Sequence, residues 1–258
     1  MAFREDGVTG RSRLATQRAM SEAVSARVEN RFRGPAGMGN GGYVSGLVAE
    51  AIGGPASIRL FAPTPLDRPL GLVRDAAGAR LMDGETMLVE GRPLDAPLDL
   101  DPPAPPRDRA IEEARACFPT VDQHMAPECF VCGPLRDPDD ALRLLTGCHP
   151  ETRLAADRWT PRPDLAADDG LVATRYLWAA LDCPSYFATG LIDVTALLAG
   201  IEGAVSRRPE PGEELTVTGW PLRQEGRKYR SASVVHDADG TVVAMARALW
   251  VVPKSIAD

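Results

Sequence analysis

The chain has 258 residues, 44% hydrophobic and 25% charged, with 24 glycines and 23 prolines. That is the composition of a globular protein with room for one large domain or two ordinary ones. A formal net charge of −7, with no basic run longer than Arg227-Lys228-Tyr229-Arg230, speaks against a nucleic-acid surface. No apolar stretch approaches the roughly 18 residues of a membrane span, and residues 1–6 lack the apolar core of a signal peptide. Five cysteines, an odd number, then read as reduced thiols in a cytoplasmic protein.

In chain order, a strand is expected over 26–32, followed by a glycine-rich turn over 34–42. Residues 43–52 are small and apolar and form a helix that Gly53-Gly54 stops. Strand-like runs follow at 56–62, 70–74, 79–83 and 85–92. Residues 93–106 hold six prolines in fourteen positions, which excludes the interior of a helix or sheet and predicts an extended connector. Residues 107–117 have helical composition, closed by Pro119. A strand is expected over 153–160, then a polar turn at Asp168-Asp169-Gly170. An apolar helix runs from about 172 to 186, with Pro184 cutting it just after Asp182. Strands over 193–199, 214–220, 229–236 and 241–252 complete the chain. The last two form the clearest hairpin, because Asp237-Ala238-Asp239-Gly240 lies between β-branched runs.

On either side of the proline-rich connector the order is the same, one helix followed by several antiparallel strands, an α+β arrangement. Sliding Tyr43-Val44 onto Tyr176-Leu177 aligns the two helices and places Ala49 opposite Asp182. The expected units are residues 1–92, an insert over 93–152, and residues 153–258.

Asp182 is the foremost candidate for chemistry. Its helix is apolar nearly all round and must be buried on most faces, where an ionised carboxylate is costly unless paired. Arg175, seven residues earlier, is a distant partner on the same face. Asp182 is thus either a structural carboxylate binding amides near a helix kink or a functional one with a perturbed pKa. Glu50, in the last turn of the first helix, reads as exposed. Gly41-Gly42 marks a tight turn or close helix packing. Cys129-x2-Cys132 with Cys148 and His149, and His124 as a fifth candidate, is a donor set that tetrahedral zinc accepts. Adjacent Cys148 and His149 make a strained second pair, however, so buried thiols without a metal are expected.

With Asn40-Gly41-Gly42-Tyr43-Val44 opening the first helix, this order resembles the hotdog-fold acyl-CoA thioesterases, and most of all the double-hotdog members related to acyl-CoA thioesterase II. The resemblance covers about 27–92 and 156–252 and leaves 93–152 unexplained. It implies a double hotdog, two helix-wrapped antiparallel sheets joined into one continuous layer. Single-hotdog relatives often carry His-Gly-Gly where this chain has Asn40-Gly41-Gly42, with the catalytic carboxylate nine residues after the motif's first position. Nine residues from Asn40 is Ala49. The resemblance therefore implies that the first half kept the glycine turn, the second half kept the carboxylate as Asp182, and one composite site forms between them.

By the same resemblance, Asp182 acts as general base on water, or less readily as nucleophile. The Gly42 and Tyr43 amides polarise the thioester carbonyl, and Thr195 helps to hold the water. Asn40, Gly41, Tyr43 and Trp178 contact the substrate. The glutamine that completes the thioesterase II set has no counterpart over 243–250. The implied activity is hydrolysis of acyl-CoA or acyl-carrier thioesters without a cofactor, in a monomer or a homo-oligomer. Two alternatives remain: a non-catalytic acyl-CoA-binding protein, and a hotdog hydratase or dehydratase. The latter would need an Asp/His pair, and His124, His149 and His236 all fall outside the predicted helices.

Overall fold

The computed structural model describes residues 22–254, so the N-terminal residues read for a signal peptide lie outside it. The first half supplies β1 (Glu22–Arg27), α1 (Gly41–Ile52), β2 (Ala56–Leu60), β3 (Pro69–Asp75), β4 (Gly78–Asp83) and β5 (Thr86–Pro93). After α2 (Asp108–Ala116) come β6 (Ala155–Trp159), α3 (Thr174–Phe187), β7 (Leu197–Val205), β8 (Leu215–Glu225), β9 (Lys228–His236) and β10 (Val242–Val251).

All ten strands join one antiparallel sheet in the order β1-β3-β4-β5-β2-β7-β10-β9-β8-β6. The order is its own mirror about the central pair. There β2 meets β7 in a register from Ala56↔Gly203 to Arg59↔Gly200. Helix α1 packs on β2, β4 and β5, α3 packs on β8, β9 and β10, and the helices pack on each other. This is the α+β arrangement that the repeat implied, and the double hotdog that the family resemblance implied.

The helices approach closely because glycine occupies the crossing. A Cβ at Gly42 would lie 2.4 Å from the Asp182 Cβ and 2.6 Å from the Trp178 carbonyl oxygen, and one at Gly46 would lie 2.4 Å from the Arg175 Cα. Burial of α3 is nearly complete. Leu177 and Leu181 are inaccessible to solvent, each contributing roughly 2 kcal/mol of transfer free energy. Such residues offset the desolvation of the carboxylate they accompany.

Three elements depart from expectation. The first strand ends at Arg27, and Asn30–Phe32 is a 3-10 turn instead. Asp67 accepts the Asn30 N–H at 3.0 Å, and Phe32 turns inward to stack on Tyr43 with ring centroids 4.1 Å apart. Strand β7 begins at Leu197 rather than 193, because Asp193 takes a left-handed φ of 58° that interrupts an extended run. Pro184 does not cut α3, which continues to Phe187. Proline removes one helical hydrogen bond here, near the helix end, and the Ser233 hydroxyl of β9 donates to the Leu181 carbonyl at 2.6 Å, tying that turn to the sheet.

The segment between the halves is docked, not a bare tether. Helix α2 packs on β6, where Arg115 pairs with fully buried Asp157 and the Leu145 N–H donates to the same carboxylate at 2.7 Å. Phe130, also fully buried, meets Phe32 edge-on at 5.1 Å and Tyr176 at 6.1 Å. The insert thus packs against the N-terminal ends of both long helices.

Candidate active site

Asn40 caps α1, and its side-chain oxygen accepts the Tyr43 N–H at 2.9 Å, the bond expected of an N-cap asparagine. That bond fixes the amide so that its Nδ2 donates to Asp182 Oδ2 at 2.7 Å. The Gly42 N–H donates to the same oxygen at 3.0 Å. The other oxygen, Oδ1, is buried and has no partner. Burial, above all, pushes the Asp182 carboxyl from its ordinary 3.8 up to about 7. Negative charge at Cys129 adds to this, while the hydrogen bonds from Gly42 and Asn40 oppose it. The result is a carboxylate held by one oxygen, with the second free to take a proton near neutral pH.

The composite arrangement brings Asn40, Gly41, Gly42 and Asp182 together, but it changes two assigned roles. Because the Gly42 amide serves Asp182 and the Tyr43 amide serves Asn40, neither is open to a carbonyl oxygen. The next donor is the Gly41 N–H, first in the helix and without an acceptor among the described residues, as the opening amides of a helix are. Tyr43 is buried in an aromatic cluster with Phe32, Phe130 and Tyr176. Thr195 precedes β7 and is half-buried, and its neighbours Ala196 and Leu197, not Thr195 itself, line the cavity beside Asp182.

Trp178 lies elsewhere. Its ring covers Gly203 of β7, where a Cβ would sit 2.9 Å from it. It lines a second cavity of about 530 Å³ together with Glu50, Arg175, Arg207 and Arg208. That cavity is the pseudo-symmetric partner of the first. The Arg175 N–H donates to Glu50 at 2.9 Å, and the Arg175 guanidinium to the same carboxylate at 2.8 Å. In the register that sets Tyr43 on Tyr176, Arg175 matches Gly42 and Glu50 stands one position past Ala49. Glu50 is therefore a part-buried cap on α3 rather than an exposed residue, and Arg175 serves Glu50, not Asp182. The amide-to-carboxylate bond between helices occurs twice. In the second copy the carboxylate is neutralised by an arginine.

Asp182, Asn40 and Gly41 open onto a cavity of about 290 Å³ whose apolar wall includes Met38, Leu60, Phe187, Leu198 and Trp250. Trp250 is fixed by its indole N–H, which donates to Ser185 at 3.0 Å. The insert supplies the rest: His124, Met125, Cys129 and Cys132 line the same cavity. His124 accepts the Ala126 N–H at 3.0 Å through Nδ1, while its Nε2 is buried without a partner. Burial holds its pKa below the usual value, so the ring is neutral at pH 7. Cys183, directly after Asp182, joins Cys129 and Cys132 with all three sulphurs within 4.8 Å of one another. Cys148 and His149 take no part. The His149 ring instead lies 3.6 Å from Glu113 of α2. Sequence reasoning left the insert outside the site, and the unusual Cys129-x2-Cys132 spacing was the signal that could have placed it.

No protein-family model matches the chain, and no curated protein sequence does. Solved structures do match over most of its length. A candidate thioesterase from Novosphingobium aromaticivorans superposes with a TM-score of 0.57 at 16% identity, over 90% of this chain and 95% of that one. The tesB protein of Mycobacterium avium subsp. paratuberculosis gives 0.56 at 15% identity, over 90% and 93%. A candidate thioesterase II from Thermobifida fusca gives 0.54 at 18% identity, over 90% and 94%. At such identities the likeness establishes the shared hotdog fold. Among the described residues, no helix is long and apolar enough to cross a membrane.

Proposed function

On the premise of this double-hotdog fold, whose matching structures include proteins described as thioesterases, we propose that the chain hydrolyses acyl thioesters of coenzyme A or an acyl carrier. One observation carries the reading: a buried carboxylate, Asp182, with Oδ2 fixed by Asn40 and Gly42 and Oδ1 unpartnered, at the wall of an apolar cavity of about 290 Å³. The acyl group occupies the cavity. Asp182 Oδ1 takes a proton from water as the water oxygen attacks the carbonyl carbon, and the Gly41 N–H donates to the developing oxyanion. The carbon–sulphur bond then breaks, and the thiolate leaves with the proton. A base that titrates near 7 is matched to this task in the cytoplasm, the compartment in which an odd set of five cysteines stays reduced.

His124 on the same cavity wall supports a second reading, hydration of an enoyl thioester by an Asp/His pair. Both readings are tested with one panel, saturated and α,β-unsaturated acyl-CoA esters from short to long chain, against wild type and Asp182→Asn. Hydrolysis predicts thiol release that is lost in Asp182→Asn. Loss of the enoyl chromophore without thiol release selects the hydratase. Ester-dependent thermal stabilisation of both proteins without any turnover overturns both readings and leaves a binding protein.

A further inference from the structure

We propose that Cys129, Cys132 and Cys183 form a binding site for a thiophilic divalent cation of the zinc class. The site is independent of the thioesterase reading. The first two cysteines come from the insert and the third from α3, so a bound ion would clamp the insert onto the helix that carries Asp182.

The argument begins with sulphur geometry. In a tetrahedral site, zinc–sulphur bonds of about 2.3 Å place neighbouring sulphurs about 3.8 Å apart. Here Cys129 and Cys183 are 3.8 Å apart and Cys132 and Cys183 are 3.1 Å apart. All three sulphurs fall within 4.8 Å of one another, so a small rearrangement gives each its place around one ion. All three residues are buried. A buried cysteine ordinarily packs as a small apolar side chain, whereas these three turn their sulphurs toward each other.

The local chain supports the same reading. Cys129-Phe130-Val131-Cys132-Gly133 folds back so that the Gly133 N–H donates to the Cys129 carbonyl at 2.8 Å. The turn requires glycine, since a Cβ at 133 would lie 2.5 Å from the Cys129 backbone nitrogen and oxygen. It presents both sulphurs on one side. Two N–H donors converge on the Cys129 sulphur, the Val131 amide at 3.4 Å and Asn40 Nδ2 at 3.7 Å. Such donors form the outer shell that orients and stabilises a metal-bound thiolate. No His, Asp or Glu of the described residues joins the three sulphurs within 4.8 Å. The fourth corner therefore belongs to water or an exogenous donor on the side of the cavity, which all three cysteines line.

The test is metal analysis of the full chain, purified under reducing conditions from zinc-supplemented cells. Zinc should co-purify in equimolar amount with wild type and with Cys148→Ser, and be lost from Cys132→Ser and Cys183→Ser. Cobalt added to the chelator-stripped wild type should give thiolate charge-transfer absorption with the intense visible bands of a tetrahedral ion. This second measurement needs no substitution, so it does not depend on how a variant folds. Wild type without zinc and without the cobalt bands overturns the proposal, as does metal retained equally by Cys132→Ser and Cys183→Ser. An oxidised chain that still takes no cobalt after reduction overturns it too.

Discussion

Replacing Asp182 with asparagine should remove activity and make the protein more stable at alkaline pH. The carboxyl rises from 3.8 to about 7 on folding, so between these values the folded state binds a proton that the unfolded chain releases. The contribution of Asp182 to wild-type stability therefore falls as pH rises from about 4 to about 7 and is flat above. The total is about 4 kcal/mol, at about 1.4 kcal/mol per pH unit. The amide of Asp182→Asn cannot titrate, so the variant loses this slope. It keeps an oxygen for Asn40 and Gly42, but puts an N–H where Oδ1 had no partner, a loss of about 1–3 kcal/mol at every pH. The two curves should cross. The variant should be less stable at pH 4 and more stable at pH 8 by about 1–3 kcal/mol, several degrees in Tm at about 2–4 °C per kcal/mol for a chain of this size. The assay is urea denaturation of both proteins from pH 4 to 8, reduced and treated with chelator so that the three neighbouring thiols carry no ion. Parallel curves would refute the claim that Asp182 is a desolvated carboxylate with its charge uncompensated.

Asn40→Ala removes one donor to Asp182 and the N-cap of α1. On the same stripped protein, the pH midpoint of kcat should rise by about one unit, equivalent to about 1.4 kcal/mol, and stability should fall by about 1 kcal/mol. Gly42→Ala and Gly46→Ala should each destabilise by about 2–3 kcal/mol, because each new methyl meets helix backbone. A denaturation curve with parallel kinetics should show turnover lost in the first and retained in the second, which lies away from the carboxylate. Glu50→Gln removes a part-exposed ion pair with Arg175 but keeps an acceptor for its N–H. Stability should fall by no more than about 1 kcal/mol with kcat unchanged. A large loss of kcat would show that the second cavity takes part in turnover.

The sequence alone determined the repeated helix-then-strands order, the small-residue helix ended by Gly53, the Asp237–Gly240 hairpin, and Asp182 as the carboxylate out of place on an apolar helix. These are local signals, set by side-chain size, periodicity and the φ preferences of glycine and proline, and they survive without knowledge of the fold. Tertiary structure decided what each group faces. The assignment of Gly42 and Tyr43 as carbonyl donors could not see that Asp182 and Asn40 would claim those amides, because the bond between Gly42 and Asp182 spans 140 positions. Glu50 read as exposed because its partner, the start of α3, is 125 residues away. The cysteines show the same limit. Spacing paired Cys129 and Cys132 with Cys148 and His149, yet the third sulphur comes from Cys183, which the packing of α3 against the insert brings within reach. Patterns along a chain report propensity and burial. The pKa of Asp182, the free Oδ1 and the choice of cysteine depend on where desolvated groups meet, and the close crossing of the helices at Gly42 and Gly46, with the docked insert, fixes that.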